Sequence, residues 1–113
     1  MLTMLTNDFL REDRTVRENT IEAYLRDAVR ALGGRAYKFT SPGNDGVPDR
    51  LVCLPGGHVV FVETKAPGKK STATQRRQQE RLEALGFTVY AEIDSKEKVN
   101  QIIHSIEWDV AHK

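Results

Sequence analysis

The sequence has a single cysteine, no long apolar run and almost no net charge, and each of these features excludes a class of protein. Cys53 has no second cysteine to pair with, so a disulfide scaffold is excluded and we expect a small core residue in a reducing, intracellular compartment. No stretch approaches the roughly 18 apolar residues of a membrane span. The first residues lack the basic flank and apolar stretch of a secretory signal, so we expect a location in the cytoplasm.

The net charge of +1 by itself gives no indication of a nucleic-acid partner. The distribution of charge does, because the segment from Lys65 to Arg81 contains Glu80 as its lone acidic residue. Such a basic stripe on a near-neutral protein is typical of phosphate contacts, although a solvated helix face is the alternative. The stripe consists of Lys65, Lys69, Lys70, Arg76, Arg77 and Arg81.

With 113 residues, of which 39% are hydrophobic and 29% charged, the composition predicts one folded domain over residues 1–113. We expect residues 1–14 to form an N-terminal arm. Apolar residues recur at helical spacing over residues 17–32, and Gly33-Gly34 ends that helix. Residues 35–40 read as a strand, and the glycine- and proline-rich segment 41–46 as a loop.

Two further strands, residues 49–54 and 58–64, flank a hairpin turn at residues 55–57. Ser71 or Thr72 can cap a helix that runs to about Leu85, and a fourth strand covers residues 87–93. A last helix runs from Ser95 to about Ile106, within the C-terminal helical segment 94–113. Since the segment 59–62 is apolar on both faces, we expect its strand to be central. The fold class is therefore α/β, a mixed four-stranded sheet flanked by helices in the order α-β-β-β-α-β-α.

Two acidic residues and a lysine are expected to converge at one end of the hairpin. Asp49 lies six residues before Pro55 and Glu63 lies six residues after Gly57, so the two acids should be cross-strand neighbours. Side chains alternate along a strand, which places Glu63 and Lys65 on one face and Thr64 on the other.

Two carboxylates that converge usually hold a cation, and Mg²⁺ prefers oxygen ligands. Asp49, Glu63 and the backbone carbonyl of Thr64 are the predicted ligands, and Glu18 or Glu22 from the first helix could supply a third acid. Taken singly, each of these residues is more readily explained by a turn or a solvated charge than by a site. Together they predict metal-assisted phosphodiester hydrolysis in which Lys65 orients the metal-bound water or stabilises charge on the phosphorus. His58, His104 and His112 are too scattered to form a metal cluster.

These motifs resemble those of the VRR-NUC (virus-type replication-repair nuclease) domains, within the PD-(D/E)xK restriction-endonuclease-like superfamily. The matching residues are Glu18, Gly33-Gly34, Lys38, Gly46-Val47-Pro48-Asp49-Arg50, Glu63-Thr64-Lys65 and Gln75. The resemblance implies a Mg²⁺- or Mn²⁺-dependent DNA endonuclease with a restriction-endonuclease-like core, of the small phage or prophage type. It implies that Asp49 and Glu63 bind metal and that Lys65 is catalytic.

The same resemblance implies that Glu18 is the first-helix acid and that Gln75 contacts the site or the substrate. It further implies a homodimer that cuts branched DNA, as Holliday-junction resolvases do, in replication, recombination or repair. With the basic stripe, it places DNA contacts at Lys38, Arg50, Lys69, Lys70, Arg76 and Arg77. Two alternatives stay open: a protein that binds branched DNA without cutting it, and a nuclease that acts on RNA.

Overall fold

The computed structural model describes residues 14–112, with side chains from residue 19 onward. These residues form, in chain order, α1 (Arg14–Ala31), β1 (Arg35–Lys38), β2 (Arg50–Leu54), β3 (His58–Thr64), α2 (Ala73–Ala84), β4 (Thr88–Ile93) and α3 (Lys96–Ala111). The predicted α-β-β-β-α-β-α order is confirmed. The predicted arm lies outside the described residues, apart from Arg14, which begins α1.

The four strands form one mixed sheet in the order β1-β2-β3-β4. Strand β2 is antiparallel to both β1 and β3, whereas β3 is parallel to β4. The predicted central position of β3 is thereby confirmed. In the β2–β3 pair Arg50 lies opposite Val62, and the same register extended by one residue places Asp49 opposite Glu63.

The apolar core fills the space between the sheet and the helices α1 and α3. It contains buried side chains of all three components: Ile21, Leu25 and Val29 of α1, Val52, Leu54, Val62 and Ile93 of the sheet, and Val99, Ile102 and Ile106 of α3. The three α1 residues recur every four positions, which explains why one stripe of this otherwise polar helix is buried. Within residues 14–112, none of the helices combines the length and the hydrophobicity that a membrane span requires.

Helix α2 lies on the opposite face of the sheet from α1. Alternation along β3 shows this, since Glu63 contacts Gln79 of α2 whereas the adjacent Thr64 contacts Glu22 of α1. The α2 face also carries an aromatic cluster in which Phe61 contacts Phe39 and Phe87, with ring centroids 5.7 and 5.5 Å apart. The sheet therefore separates an apolar core from a face with polar and aromatic side chains.

Several element boundaries differ from the sequence-based ones. Helix α1 begins at Arg14 rather than near residue 17, and α3 continues to Ala111, beyond the predicted end near Ile106. The last turn of α3 is exposed, with Trp108 61% accessible, so it lacks the apolar periodicity on which the prediction depended. At the start of α2, Thr72 is the N-cap, which resolves the choice between Ser71 and Thr72.

Candidate active site

The carboxylate of Asp49 is bound by the end of strand β3. The backbone N–H of Thr64 donates to Asp49 Oδ1 at 2.7 Å, and the Thr64 hydroxyl donates to Oδ2 at 2.6 Å. Pro48 is fully buried and fixes the approach of the chain to β2, as the fixed φ of proline favours. The sequence thus places a carboxylate directly before β2, beside the end of β3.

Glu22 of α1 reaches the same threonine. Its Oε1 lies 3.3 Å from the Thr64 hydroxyl, and its Oε2 lies 3.7 Å from the guanidinium of Arg50. One hydroxyl has one proton, so it cannot donate to Asp49 and Glu22 at once. Two acids therefore converge on one hydroxyl, with the Arg50 guanidinium beside one of them. The first helix therefore brings Glu22 to the site, whereas the side chain of Glu18 lies outside the described residues.

Glu63 is 2% exposed, which is rare for a carboxylate, and its oxygens are held from the α2 side. The Ser71 hydroxyl donates to Oε2 at 3.1 Å, and Gln79 Nε2 donates to Oε1 at 3.0 Å. Gln79 also donates to the Ser71 hydroxyl oxygen at 3.0 Å. Sequence reasoning missed Ser71 and Gln79 as site residues, although Gln79 is one helical turn beyond Gln75 and so shares its face.

The ammonium of Lys65 lies beside this buried carboxylate. Its Nζ is 3.7 Å from Glu63 Oε2 and donates to Gln75 Oε1 at 2.8 Å. Gln75 is itself fixed by a capping box, since its Oε1 accepts from the Thr72 N–H and its N–H donates to the Thr72 hydroxyl. The cap of α2 therefore determines where the Lys65 ammonium lies. The predicted shared face of Glu63 and Lys65 agrees with these contacts.

The loop from Lys65 to α2 is fastened to the end of β4 by two carboxylates. The Gly68 N–H donates to Asp94 Oδ2 at 3.0 Å, and this bond together with Lys98 lowers the pKa of Asp94 despite partial burial. The Ser71 N–H donates to Glu92 Oε2 at 2.7 Å, and that bond is the main reason why the pKa of Glu92 is lowered. Both acids are thus held in the ionised form that accepts these hydrogen bonds.

The predicted ligands of a divalent ion supply oxygen donors of the kind that Mg²⁺ and Mn²⁺ prefer. Asp49 and Glu22 already converge on Thr64, whereas Glu63 is bound separately by Ser71 and Gln79. Among residues 19–112, no group of three or more acidic, histidine or cysteine side chains is arranged to hold a metal. An ion shared by Asp49 and Glu63 therefore requires one carboxylate to exchange a protein partner for the ion.

Comparison with known proteins identifies the family. No protein-family model matches the sequence. The "Putative nuclease p44" of Acyrthosiphon pisum secondary endosymbiont phage 1 is 55% identical over 84 residues, which are 74% of this chain and 89% of that protein. A solved structure described as a VRR_NUC domain is 34% identical, with a TM-score of 0.72 over 78% of this chain and 95% of its own. The chain belongs to the VRR-NUC family.

Family membership confirms the resemblance and the restriction-endonuclease-like fold inferred from the sequence motifs. The VRR-NUC domain places the two halves of its motif, Pro48-Asp49 and Glu63-Thr64-Lys65, at one end of the β2–β3 hairpin. The three histidines do not contribute to this end. His104 and His112 lie on or after α3, where His112 stacks on Trp108, and His58 begins β3 at the opposite end of the hairpin.

The predicted DNA-contacting residues of this VRR-NUC domain fall into two groups. Lys38, Lys69, Lys70, Arg76 and Arg77 are exposed. Two of these guanidiniums also bind the start of α2, since Arg76 donates to the Ser71 carbonyl at 2.8 Å and Arg77 to the Thr74 hydroxyl at 3.2 Å. Arg50 differs, because it is 8% exposed, pairs with Glu22 and donates to the carbonyl of Ala36. The structure thus gives Arg50 partners within the fold, and its contact with DNA stays a prediction.

Proposed function

We propose that this VRR-NUC domain is a metal-dependent endonuclease that hydrolyses phosphodiester bonds of DNA and prefers branched DNA such as a four-way junction. The observation that carries the proposal is the placement of the Lys65 ammonium 3.7 Å from the buried carboxylate of Glu63, at the hairpin end where Asp49 and Glu22 converge. Burying a carboxylate is costly unless it is paired and hydrogen-bonded. A fold that retains a buried carboxylate beside a lysine is typical of a catalytic site.

The chemistry assigns separate tasks to the side chains. Asp49, Glu63 and the Thr64 carbonyl would hold a Mg²⁺ or Mn²⁺ ion, with Glu22 or Glu18 as the first-helix acid; such an ion polarises a phosphoryl oxygen and acidifies a bound water. Lys65 stabilises the negative charge that develops on the phosphoryl oxygens. Gln75 keeps the Lys65 ammonium in place, because its own side chain is fixed by the cap of α2.

The exposed lysines and arginines provide the surface for the substrate. Lys69 and Lys70 project from the loop that directly follows Lys65, and Arg77 is exposed on the first turns of α2. Phosphate contacts by these residues make binding independent of sequence and strongly dependent on salt concentration. A preference for branched DNA then depends on shape rather than on base contacts.

A symmetric homodimer would match a substrate that needs two nicks. Two-fold symmetry presents two copies of one site, and the exposed Phe87 and Trp108 provide apolar surface of the kind that interfaces use. We propose that such a dimer acts in phage or prophage DNA replication, recombination or repair, in the cytoplasm of the host cell. Light scattering at micromolar protein concentration tests the dimer, and a monomer mass with and without DNA would refute it.

The deciding assay offers the protein a labelled four-way junction, a flap, a plain duplex and a matched RNA duplex, each with Mg²⁺, Mn²⁺ or EDTA. We expect metal-dependent cuts in the junction, slower cutting of the duplex, and none in EDTA. Asp49→Asn and Glu63→Gln, which keep the size of the side chain, should remove the activity. The nuclease proposal fails if the wild type cuts nothing, and activity unchanged in both variants would identify a contaminant. Faster cleavage of RNA would redirect the proposal to that polymer.

The second candidate is a protein that binds branched DNA without cutting it. The observation in its favour is that Ser71, Gln79 and Lys65 already surround the carboxylate of Glu63. Calorimetry with Mn²⁺ distinguishes the two candidates. Tight, salt-dependent junction binding without heat of metal binding supports the binder, and hydrolysis that Asp49→Asn abolishes excludes it.

A further inference from the structure

A β-bulge lies beside Glu63. In the parallel β3–β4 pair, Val62 is opposite Tyr90 but Thr64 is opposite Ile93. One residue of β3, Glu63, therefore faces two residues of β4, Ala91 and Glu92. Bulges of this kind occur often next to active sites, where the extra residue re-aims a side chain.

Glu92, the second bulge residue, has an unusual backbone conformation. Its φ of 57° makes it the sole non-glycine residue with a positive φ in the described part of the chain. A residue with a Cβ seldom occupies this left-handed region, and such strain is concentrated at functional sites. The surrounding structure holds the conformation on both sides, since the Glu92 carbonyl accepts from Lys98 Nζ at 3.3 Å and the Lys65 N–H donates to the Ile93 carbonyl at 2.9 Å.

The strained backbone directs the Glu92 side chain towards the loop before α2. Its Oε2 accepts from the Ser71 N–H at 2.7 Å, and the Ser71 hydroxyl donates to Glu63 Oε2 at 3.1 Å. Ser71 is 5% exposed and so has little freedom to rotate to other partners. A continuous chain of contacts thus runs from Glu92 through Ser71 to Glu63.

We propose that Glu92 is a positioning residue: the bulge at Ala91–Glu92 aims its carboxylate at the Ser71 amide, which fixes the Ser71 hydroxyl on the carboxylate of Glu63. The inference deepens the proposed function and rests on it, since Glu63 matters there as a metal ligand. Glu92 touches neither the substrate nor the reacting atoms. It acts by keeping the buried carboxylate in one orientation, and residues that orient ligands typically change metal affinity or activity about 10–100-fold.

Three substitutions at residue 92 separate positioning from a role in stability alone. Glu92→Gln keeps an oxygen that accepts from the Ser71 N–H, Glu92→Ala removes it, and Glu92→Gly removes it while relieving the positive φ. Glu80→Ala, at an exposed position of α2, is the matched control. For each variant one measures Mn²⁺ affinity by electron paramagnetic resonance, kcat and KM for junction cleavage, the melting temperature, and amide hydrogen exchange at Ser71.

We expect Glu92→Ala to weaken Mn²⁺ binding and lower kcat about ten-fold or more, with KM for DNA unchanged, and Ser71 exchange to accelerate about ten-fold. Glu92→Gln should recover most of each loss. Glu92→Gly should melt higher than Glu92→Ala yet be equally impaired in kcat, which a purely stabilising role does not predict. Glu80→Ala should resemble the wild type.

Two results would overturn the inference: Ser71 exchange that is equal in the wild type and Glu92→Ala, or full kcat and Mn²⁺ affinity in Glu92→Ala despite faster exchange. Failure of the proposed function is recognised separately, because the wild type itself would then cut no DNA. In that case the exchange and Mn²⁺ measurements still decide whether Glu92 orients Glu63.

Discussion

The two faces of the sheet bury different kinds of side chain. Towards α1 and α3, the residues with no exposed surface are aliphatic, among them Leu25, Val52 and Val62. Towards α2, the buried set includes Glu63, Ser71 and Gln79, and Gln79 is the sole buried residue of α2 itself. The boundary between the two environments runs along β3, where Val62 and Glu63 are adjacent.

The difference separates the part of the fold that supplies stability from the part that contains the candidate catalytic groups. Aliphatic burial stabilises the fold in proportion to area, whereas buried polar groups contribute little net and are costly when one partner is lost. A face built for stability alone would replace Glu63 with an apolar residue. The hydrogen bonds of Ser71 and Gln79 to Glu63 offset part of the cost of burying this carboxylate. Substitutions on each face of the sheet test this division.

Lys65→Ala should have the largest effect, and it should affect activity rather than folding. Removing a group that stabilises transition-state charge or transfers a proton costs about 10²–10⁴-fold in kcat. Glu63 keeps its hydrogen bonds from Ser71 and Gln79 in this variant, so we expect the melting temperature to change by only a few degrees. Cleavage rates and thermal denaturation measure the two quantities. A kcat within ten-fold of the wild type would contradict the assignment of Lys65.

Leu25→Ala, on the apolar face, should lower the stability of the fold and leave the activity nearly unchanged. Its side chain has no exposed surface, and truncating such a leucine costs about 2–5 kcal/mol of unfolding free energy through lost burial and the cavity left behind. The kcat of the folded fraction at low temperature should stay close to the wild type. Urea denaturation gives the free energy, and Leu85→Ala, at a position 75% exposed, makes the same chemical change as a control. Equal destabilisation by both variants would contradict the placement of the core.

Gln79→Ala should lower both the activity and the unfolding free energy, because Gln79 is buried on the polar face. It leaves Glu63 Oε1 and the Ser71 hydroxyl oxygen each without the donor at 3.0 Å. We expect a loss of about 1–3 kcal/mol in stability, the cost of a buried acceptor without its partner, and a fall in kcat of about ten-fold. Gln78→Ala, one residue earlier on α2, removes a bond to the carbonyl of Asp45 instead and should leave kcat unchanged.

Sequence reasoning found the residues whose roles follow from local patterns. The register of Asp49 and Glu63 follows from a short hairpin, and the shared face of Glu63 and Lys65 follows from strand alternation. The hairpin register as far as the Arg50–Val62 pair and the shared face of Glu63 and Lys65 agree with the structure, because the determining distances along the chain are short. The convergence of the two acids on one ion stays a prediction. The Asp49 carboxylate binds Thr64 on the α1 side of β3, whereas the Glu63 carboxylate is held from the α2 side. The family resemblance added Gln75, whose contact with Lys65 the structure shows.

Sequence reasoning did not find the residues that depend on how distant segments meet. The bulge opposite Glu63 arises between strands separated by α2, and no local signal marks a glutamate as adopting a positive φ. The burial of Arg50 likewise depends on its pairing with Glu22 of α1, which the predicted role of Arg50 in DNA contact did not anticipate. Contacts between distant segments thus determine whether a charged side chain is buried and paired or exposed to solvent.

The smallest effect that we expect is a loss of stability at acid pH when Asp94 is protonated. The Gly68 N–H and Lys98 hold the pKa of Asp94 below its ordinary value, near 4. As the pH falls, the Asp94 carboxylate therefore binds its proton at a higher pH in the unfolded chain than in the folded one. The stabilisation is therefore complete above about pH 4 and is lost as the pH falls through the folded-state pKa.

Asp94→Asn removes this acid-dependent contribution, which for a partly exposed pair is below about 1 kcal/mol. Urea denaturation at pH 6 and pH 3 should show that the variant loses less stability between the two than the wild type does. The difference should shrink in high salt, because the ion pair with Lys98 is screened. Glu80→Gln, at an exposed position, should keep the pH dependence of the wild type. If Asp94→Asn showed the same pH dependence as the wild type, the hydrogen bond from Gly68 to an ionised Asp94 would not stabilise the fold. The loop after Lys65 would then not be held to β4 through this carboxylate.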